Sequence, residues 1–335
     1  MYVIFASFSF LLGSLTEVAE LKPLQALRSY SSLVTSGAGH ITYQSWQDEF
    51  ATRKIAELEL AMYGRIRTYP VDTNERYFIA FKGDKLRWDL LQTRTQDGET
   101  YIRDLRAVIV GEELSAVDYS RKLGGIVQGR GYINFRLGYI EPTLQILDIR
   151  PSSLSVGIGE PLVELLRGRS RRWGQLTVQD LGVEIVDGLA CERIRLSNDR
   201  GTIDIWLSRE QGYLPVRIWK EEKREKFLTR LHRYKYRYAS RYTYRYKRYT
   251  NDIWFVDRVD CQLFWIDKEG KKLAGHQTIQ VENDFRINID LPDDIFQIEF
   301  YKGQEVLDKR TGKVIICLLY TSPSPRDLST SRMPS

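Results

Sequence analysis

The sequence predicts a mainly β protein with a few short helices, built around one antiparallel sheet. Three observations carry that prediction. The stretch Val183–Trp219 alternates apolar and polar residues: Ile194 and Leu196 against Arg193 and Arg195, then Ile203, Ile205 and Leu207 against Asp204 and Ser208. Its runs are separated by the turn signals Asp187-Gly188, Asn198-Asp199-Arg200-Gly201 and Gln211-Gly212, as an antiparallel meander with one buried and one wet face requires. Finally, about ten such runs follow one another without a long helix, and the 20 Tyr, 13 Phe and 7 Trp favour strands.

At 335 residues the chain can bury a substantial core. A net charge of +6 suits acidic partners in general, membrane surfaces and nucleic acid included, and selects none. Cys191 and Cys261 fall in the body. Their spacing demands no bridge, so buried thiols are the expectation, with one disulfide as the alternative.

Taken in order, Tyr2–Leu15 is an apolar run without charge. At about 14 residues it is short for a membrane span of roughly 20 and suits the apolar part of an export signal. No cysteine follows closely, so the chain as it stands is not itself a lipoprotein. Thr16 can cap a helix carrying Val18, Leu21, Leu24, Leu27 and Tyr30, with Pro23 tolerated in its first turns. Strands are expected at His40–Trp46, Ile55–Thr68, Glu75–Phe81, Lys85–Gln92, Thr100–Arg106 and Ala107–Glu112. Lys82-Gly83-Asp84 makes the hairpin between the third and fourth of these, with Leu86, Trp88 and Leu90 on one face. Residues 119–155 are glycine-broken and patternless. Glu160–Leu166 is a short amphipathic helix with Pro161 at its start. Pro215, lacking an N–H, belongs at a strand start or edge. Trp254–Ile266, Gly275–Asn283 and Phe285–Leu291 complete the strands.

His232–Tyr249 places tyrosines at even positions (234, 236, 238, 242, 244 and 246) and Arg or Lys at most odd ones. On a strand this separates a tyrosine face from a cationic face. Binding of nucleic acid calls for both on one face, so tyrosines against the core and cations in solvent are expected. The exposed cations could also meet anionic lipid, at about 1 kcal/mol per charge.

Catalysis is not indicated. His40, His232 and His276 are far apart in sequence without metal-ligand spacing. There is no phosphate loop, no G-x-S-x-G and no C-x-x-C. Asp293-Asp294 fits a turn better than an acid–base couple. No cofactor or metal is expected.

Three motifs together carry a resemblance. Trp206-Leu207-Ser208 with Gly212-Tyr213-Leu214-Pro215-Val216-Arg217-Ile218 is similar to the central hairpin of the LolA/LolB lipoprotein-localisation superfamily. Asp252-Ile253-Trp254-Phe255 with Arg258-Val259 resembles the next strand, and Leu291–Ile315 resembles the closing segment. Val256 and Tyr301-Lys302 stand where proline is usual. The resemblance implies a curved antiparallel half-barrel with a helical lid on its concave face, sheltering acyl chains of a lipoprotein. It implies an exported, periplasmic, non-enzymatic carrier whose partners are an acylated lipoprotein or lipid and an inner- or outer-membrane acceptor protein. On this reading the cavity is lined by Leu86, Trp88, Leu90, Ile203, Ile205, Leu207, Val216 and Ile218, with Leu162, Leu165 and Leu166 on the lid. Plain core packing is the competing role for each. An envelope-stress sensor of the same fold is the alternative function, and a basic nucleic-acid-binding β protein the next. The expected organisation is an apolar leader at 1–15, one half-barrel domain at 16–316, and a disordered tail at 317–335 that resembles translated sequencing-adapter DNA.

Overall fold

Strands whose side chains alternate apolar and polar must bury one face and wet the other, and a single large sheet meets that requirement. The computed structural model describes residues 22–49, 52–53, 72–96, 99–111, 113–118, 121–122, 131–136, 147–151, 154, 158–223, 226–227, 235–249, 252–268, 270–300, 304–308 and 311–316. Helix α1 (Lys22–Leu33) leads into β1 (Ser36–Gln47), followed by β2 (Asp72–Lys82), β3 (Lys85–Gln96), β4 (Glu99–Val110) and β5 (Glu113–Asp118). Then come β6 (Arg121–Lys122), β7 (Gly131–Arg136), helix α2 (Leu162–Leu166) and a small hairpin of β8 (Arg169–Ser170) and β9 (Gly174–Gln175). The second half holds β10 (Thr177–Val186), β11 (Leu189–Ser197), β12 (Gly201–Ser208), β13 (Leu214–Glu222), β14 (Lys226–Phe227), β15 (Lys235–Arg248), β16 (Trp254–Asp267) and β17 (Gly270–Val281). Last are β18 (Arg286–Ile287), a 3₁₀ turn at Asp293–Phe296, β19 (Glu305–Asp308) and β20 (Lys313–Ile316).

Two antiparallel meanders share β1. One runs β10-β11-β12-β13-β15-β16-β17. The other runs β2-β3-β4-β5-β7. β1 lies between β17 and β2, so the first of the described strands sits at the middle of the sheet. Beyond β7, β19 joins in parallel and pairs with β20, a departure from the all-antiparallel expectation. Among the described residues β10 and β20 are not paired with each other, so the sheet stays open rather than closing into a barrel. β10 also carries a bulge between Asp180 and Val183, where Gly182 has φ 85° and its N–H donates to the Asp180 carboxylate at 2.8 Å.

The concave face is the core. Ile41 and Tyr43, Tyr77, Ile79 and Phe81, Leu86, Trp88 and Leu90, Ile203, Ile205 and Leu207, and Tyr242 and Tyr244 all project into one buried cluster. Onto it α1 lays Leu24, Leu27 and Tyr30, and α2 lays Leu162, Leu165 and Leu166. Each such side chain, fully buried, contributes about 1.5–3 kcal/mol. At one end Phe81, Phe255 and Phe285 stack with ring centroids 5.6–6.5 Å apart. Their approach needs bare backbone: a Cβ on Gly39 would stand 2.4 Å from Cα of Phe285.

The convex face is polar. Asp204, only 5% exposed, accepts from Arg193 and Arg195 at 2.7 Å. Arg193 also bonds Glu184, which accepts from the Trp206 indole at 2.8 Å. Over β2–β4 the C-terminal segment covers this face, packing Leu291, Ile295 and Phe296 on Ala80 and Val108.

The N-terminal helix, the β2–β3 hairpin, the second-half strands and the place of Pro215 at the start of β13 follow the sequence pattern. Two differences have physical causes. The expected strands Thr100–Arg106 and Ala107–Glu112 are one strand, β4, because no turn former interrupts it and the reversal waits for Gly111 at φ 60°. The last expected strand, Phe285–Leu291, contracts to the two residues of β18. There Asn288 takes φ 54° and its side chain bonds Leu33 O and Thr35 N instead. Asp293 and Asp294 open the 3₁₀ turn. The apolar run 2–15, the expected helix start with Thr16, Val18 and Leu21, the expected strand 55–68 and the tail 317–335 lie outside the described residues. Cys191 and Cys261 are both free and buried. Among the described residues no helix is long and apolar enough to cross a membrane.

Candidate ligand groove

The sequence-predicted lining residues converge. Leu86, Trp88, Leu90, Ile203, Ile205, Leu207 and Ile218 belong to one concave cluster, and so do the lid residues Leu162, Leu165 and Leu166. All ten are buried to 2% exposure or less, so in this state the groove floor is filled by the protein's own helices. Val216 is the exception. The register shift between Trp206 and Leu207 pairs Pro215 with Leu207 and Arg217 with Trp206, leaving Val216 as the extra residue. It packs with Val186, Cys191 and Trp206 in a small separate cluster, and Leu214 joins the concave core instead.

Among the described residues, two donors in this buried region have no hydrogen-bond partner: Trp88 Nε1 and Tyr249 Oη. Each such orphan costs roughly 1–3 kcal/mol. Tyr249 stacks edge-on against Phe255 at 5.7 Å, next to the phenylalanine stack.

Toward the other end the concave face changes character. Past Ile218, Tyr242 and Cys261 the next inward residues are Lys220, Ser240 and Leu263. With Arg172, Tyr238 and Trp265 they wall a cavity of about 340 Å³ that opens at the groove's mouth. Tyr238 meets Trp265 edge to face at 6.2 Å.

The segment carrying α2 is fastened beside this mouth. Glu160, 2% exposed, accepts from Ser170 Oγ at 2.7 Å and from Arg171 N at 3.0 Å. Its other oxygen faces Lys220 Nζ at 3.5 Å. Burial pulls the Lys220 ammonium below the ordinary lysine value, and the Glu160 carboxylate opposes that pull. Trp173 wedges against Gly201, where a Cβ would stand 2.6 Å from the ring. Asn198 Nδ2 donates to the carbonyls of Trp173 and Gln175.

The tyrosine–arginine alternation divides by face as expected. Tyr242 and Tyr244 are buried and Tyr246 donates to Pro215 O at 2.8 Å, while Arg241 and Arg245 are exposed. Stacking platforms and cations therefore do not share a surface there.

One cluster escaped the sequence. His40 Nδ1 lies 2.5 Å from Asp284, and Glu282 is close enough that the three could hold a metal. His40 precedes Glu282 and Asp284 by more than two hundred residues, which left no local spacing to read. Glu282 is already engaged by Arg76 at 2.8 Å and Thr42 at 2.9 Å, so ion pairing accounts for the group.

No family model matches the chain, and no curated protein matches it at a significant level. Solved structures do match over most of its length. They include a DUF1329 family protein from Desulfovibrio piger, 10% identical with TM-score 0.39, covering 82% of this chain and 95% of its own. A domain assigned to outer membrane lipoprotein sorting from Vibrio parahaemolyticus is 9% identical with TM-score 0.40, at the same coverages of 82% and 95%. The lipoprotein LppX from Mycobacterium tuberculosis is 10% identical with TM-score 0.26, covering 83% and 99%. At such scores no binding property passes from them to this chain. The fold itself, an open curved sheet with helices on its concave face, is the one implied by the three motifs.

Proposed function

We propose that the protein is a non-enzymatic carrier that shelters acyl chains, of a lipoprotein or a lipid, on the concave face of its sheet. The observation that carries this reading is the pair of orphan donors, Trp88 Nε1 and Tyr249 Oη, inside an otherwise apolar groove. An acyl ester or amide would bring carbonyl acceptors for them along with its methylenes. α1 and α2, which are short and joined to the sheet chiefly by apolar contact, are the elements that would give way. Each methylene moved out of water is worth about 0.8 kcal/mol, so leucines that leave the groove are replaced at little net cost. The apolar N-terminal run supports export, and the site of action would be the envelope, with membrane-bound donor and acceptor partners. The groove, rather than any set of reactive side chains, is what makes this a binding protein.

The test is mass spectrometry of an organic extract from the full chain purified from a bacterial host, with binding of a fluorescent fatty acid measured in parallel. The expected result is co-purified acyl lipid and saturable binding of the probe. A clean extract together with no probe binding would make the groove a sealed core and end the carrier reading.

A further inference from the structure

We propose that the groove mouth recognises the acidic head of an acyl amphiphile, a carboxylate or a phosphate, through Lys220 and Arg172. This rests on the carrier reading and names the ligand class for the same groove: the chain would run inward past Leu263 and Trp265, and the head would stay at the mouth.

The argument is a count of unsatisfied donors and acceptors. An ammonium has three N–H donors. Among the described residues Lys220 Nζ has one acceptor, Glu160 Oε1 at 3.5 Å, longer than a good charged hydrogen bond. Its side chain is only 13% exposed, so water does little for the remaining donors. Glu160 cannot turn further toward it, because its second oxygen is held by Ser170 Oγ and Arg171 N. On the other side Lys220 rests 4.9 Å from the centroid of Trp173, a contact that needs no acceptor. Arg172 lines the same cavity, and no side-chain partner for its guanidinium is found among the described residues. The acid that lines the cavity, Glu222, has an interaction of its own, and its charge adds to that of Glu160 in supporting the Lys220 ammonium. Among the described residues the mouth therefore offers spare cationic donors and no spare carboxylate. A ligand oxyanion completes such a set, and an alcohol or a neutral ester does not. Burial lowers the Lys220 value, and an entering anion would oppose that shift as Glu160 does.

The experiment is displacement of a fluorescent apolar probe from the delipidated full chain by palmitate, hexadecyl phosphate, 1-hexadecanol and inorganic phosphate. Charged hydrogen bonds predict that the two acids bind about tenfold more tightly than the alcohol. Arg172→Gln and Lys220→Gln should each erode that preference to about threefold or less. Arg172 is exposed, so its variant stays informative if Lys220→Gln unfolds. Equal binding of acids and alcohol, or a preference unmoved by Arg172→Gln, overturns the head-group assignment and leaves the carrier reading standing. Displacement by inorganic phosphate alone, as strong as by hexadecyl phosphate, overturns it too, since the mouth would then be an ion site without acyl recognition. If none of the three amphiphiles binds, the carrier reading falls and takes this one with it.

Discussion

Removing the Glu160 carboxylate should loosen the whole α2 segment. Glu160→Ala strips the acceptor from Ser170 Oγ and Arg171 N and leaves the Lys220 ammonium in the wall without its counter-charge. Breaking one side of a buried pair costs about 3–5 kcal/mol. The 3.5 Å separation and the nearby cavity let Lys220 swing toward water, so the lower end applies, about 3 kcal/mol. With a urea dependence of about 1–3 kcal/mol per molar, the unfolding midpoint should drop by about 1 M or more. Glu160→Ala combined with Lys220→Met should recover part of that loss, because removing both partners avoids an uncompensated charge. Hydrogen exchange should show amides of Leu165 and Leu166 opening faster in the single variant. The reasoning is refuted if Glu160→Ala unfolds within about 0.5 kcal/mol of the parent, or if the double variant is less stable than the single one.

Three further outcomes follow from the geometry. Gly39→Ala should prevent soluble expression or cost about 3 kcal/mol or more in urea unfolding, since its Cβ would meet the backbone of Phe285 at 2.4 Å. Burial would raise the Asp204 carboxyl, but the hydrogen bonds from Arg195 and Arg193 outweigh it and hold the value below the ordinary one. The stability from Asp204 is thus complete above about pH 4 and fades as pH falls through its folded value, so Asp204→Asn should flatten the acid limb of a stability–pH curve below about pH 4. The Cys261 thiol is buried and pushed up to about 12, and burial raises Cys191 as well. A disulfide reagent should therefore label neither in the native protein within minutes and both in urea, read by peptide mass spectrometry; rapid native labelling of Cys261 would show that the concave core opens readily.

What the sequence made legible is what period two encodes. The β11–β12–β13 meander, the β2–β3 hairpin and the split of β15 into tyrosine and arginine faces all follow from alternation, since alternation decides which side chains share a face. Alternation fails wherever the register slips. Val216 and Ile218 are two apart and should share a face, yet the bulge opposite Trp206 and Leu207 sends Val216 to the other side. The mouth was invisible for a different reason. Arg172, Lys220, Tyr238 and Trp265 come from four separate segments and meet only through strand pairing. Nothing about Glu160 in its own surroundings announces Lys220, sixty residues on. The signal within reach was local: Lys220 is a cation at an inward position of the same alternating run that puts Ile218 in the core.

The bulge in β10 bears on what the outer edge of that strand offers to another chain. β10 is the last strand of its meander, and its outer edge leaves Val183 and Ile185 exposed at 50% and 71%. A straight edge with apolar side chains is a template on which a second copy can add a strand, and then a third. Between Asp180 and Val183 the ladder breaks step, Gly182 swings into the left-handed region, and its N–H is taken up by the Asp180 carboxylate. An incoming strand would meet only short stretches in step on either side of the break. The irregularity therefore shortens the ladder on which another strand could align, and deleting Gly182 should lengthen the stretch in step and favour self-association.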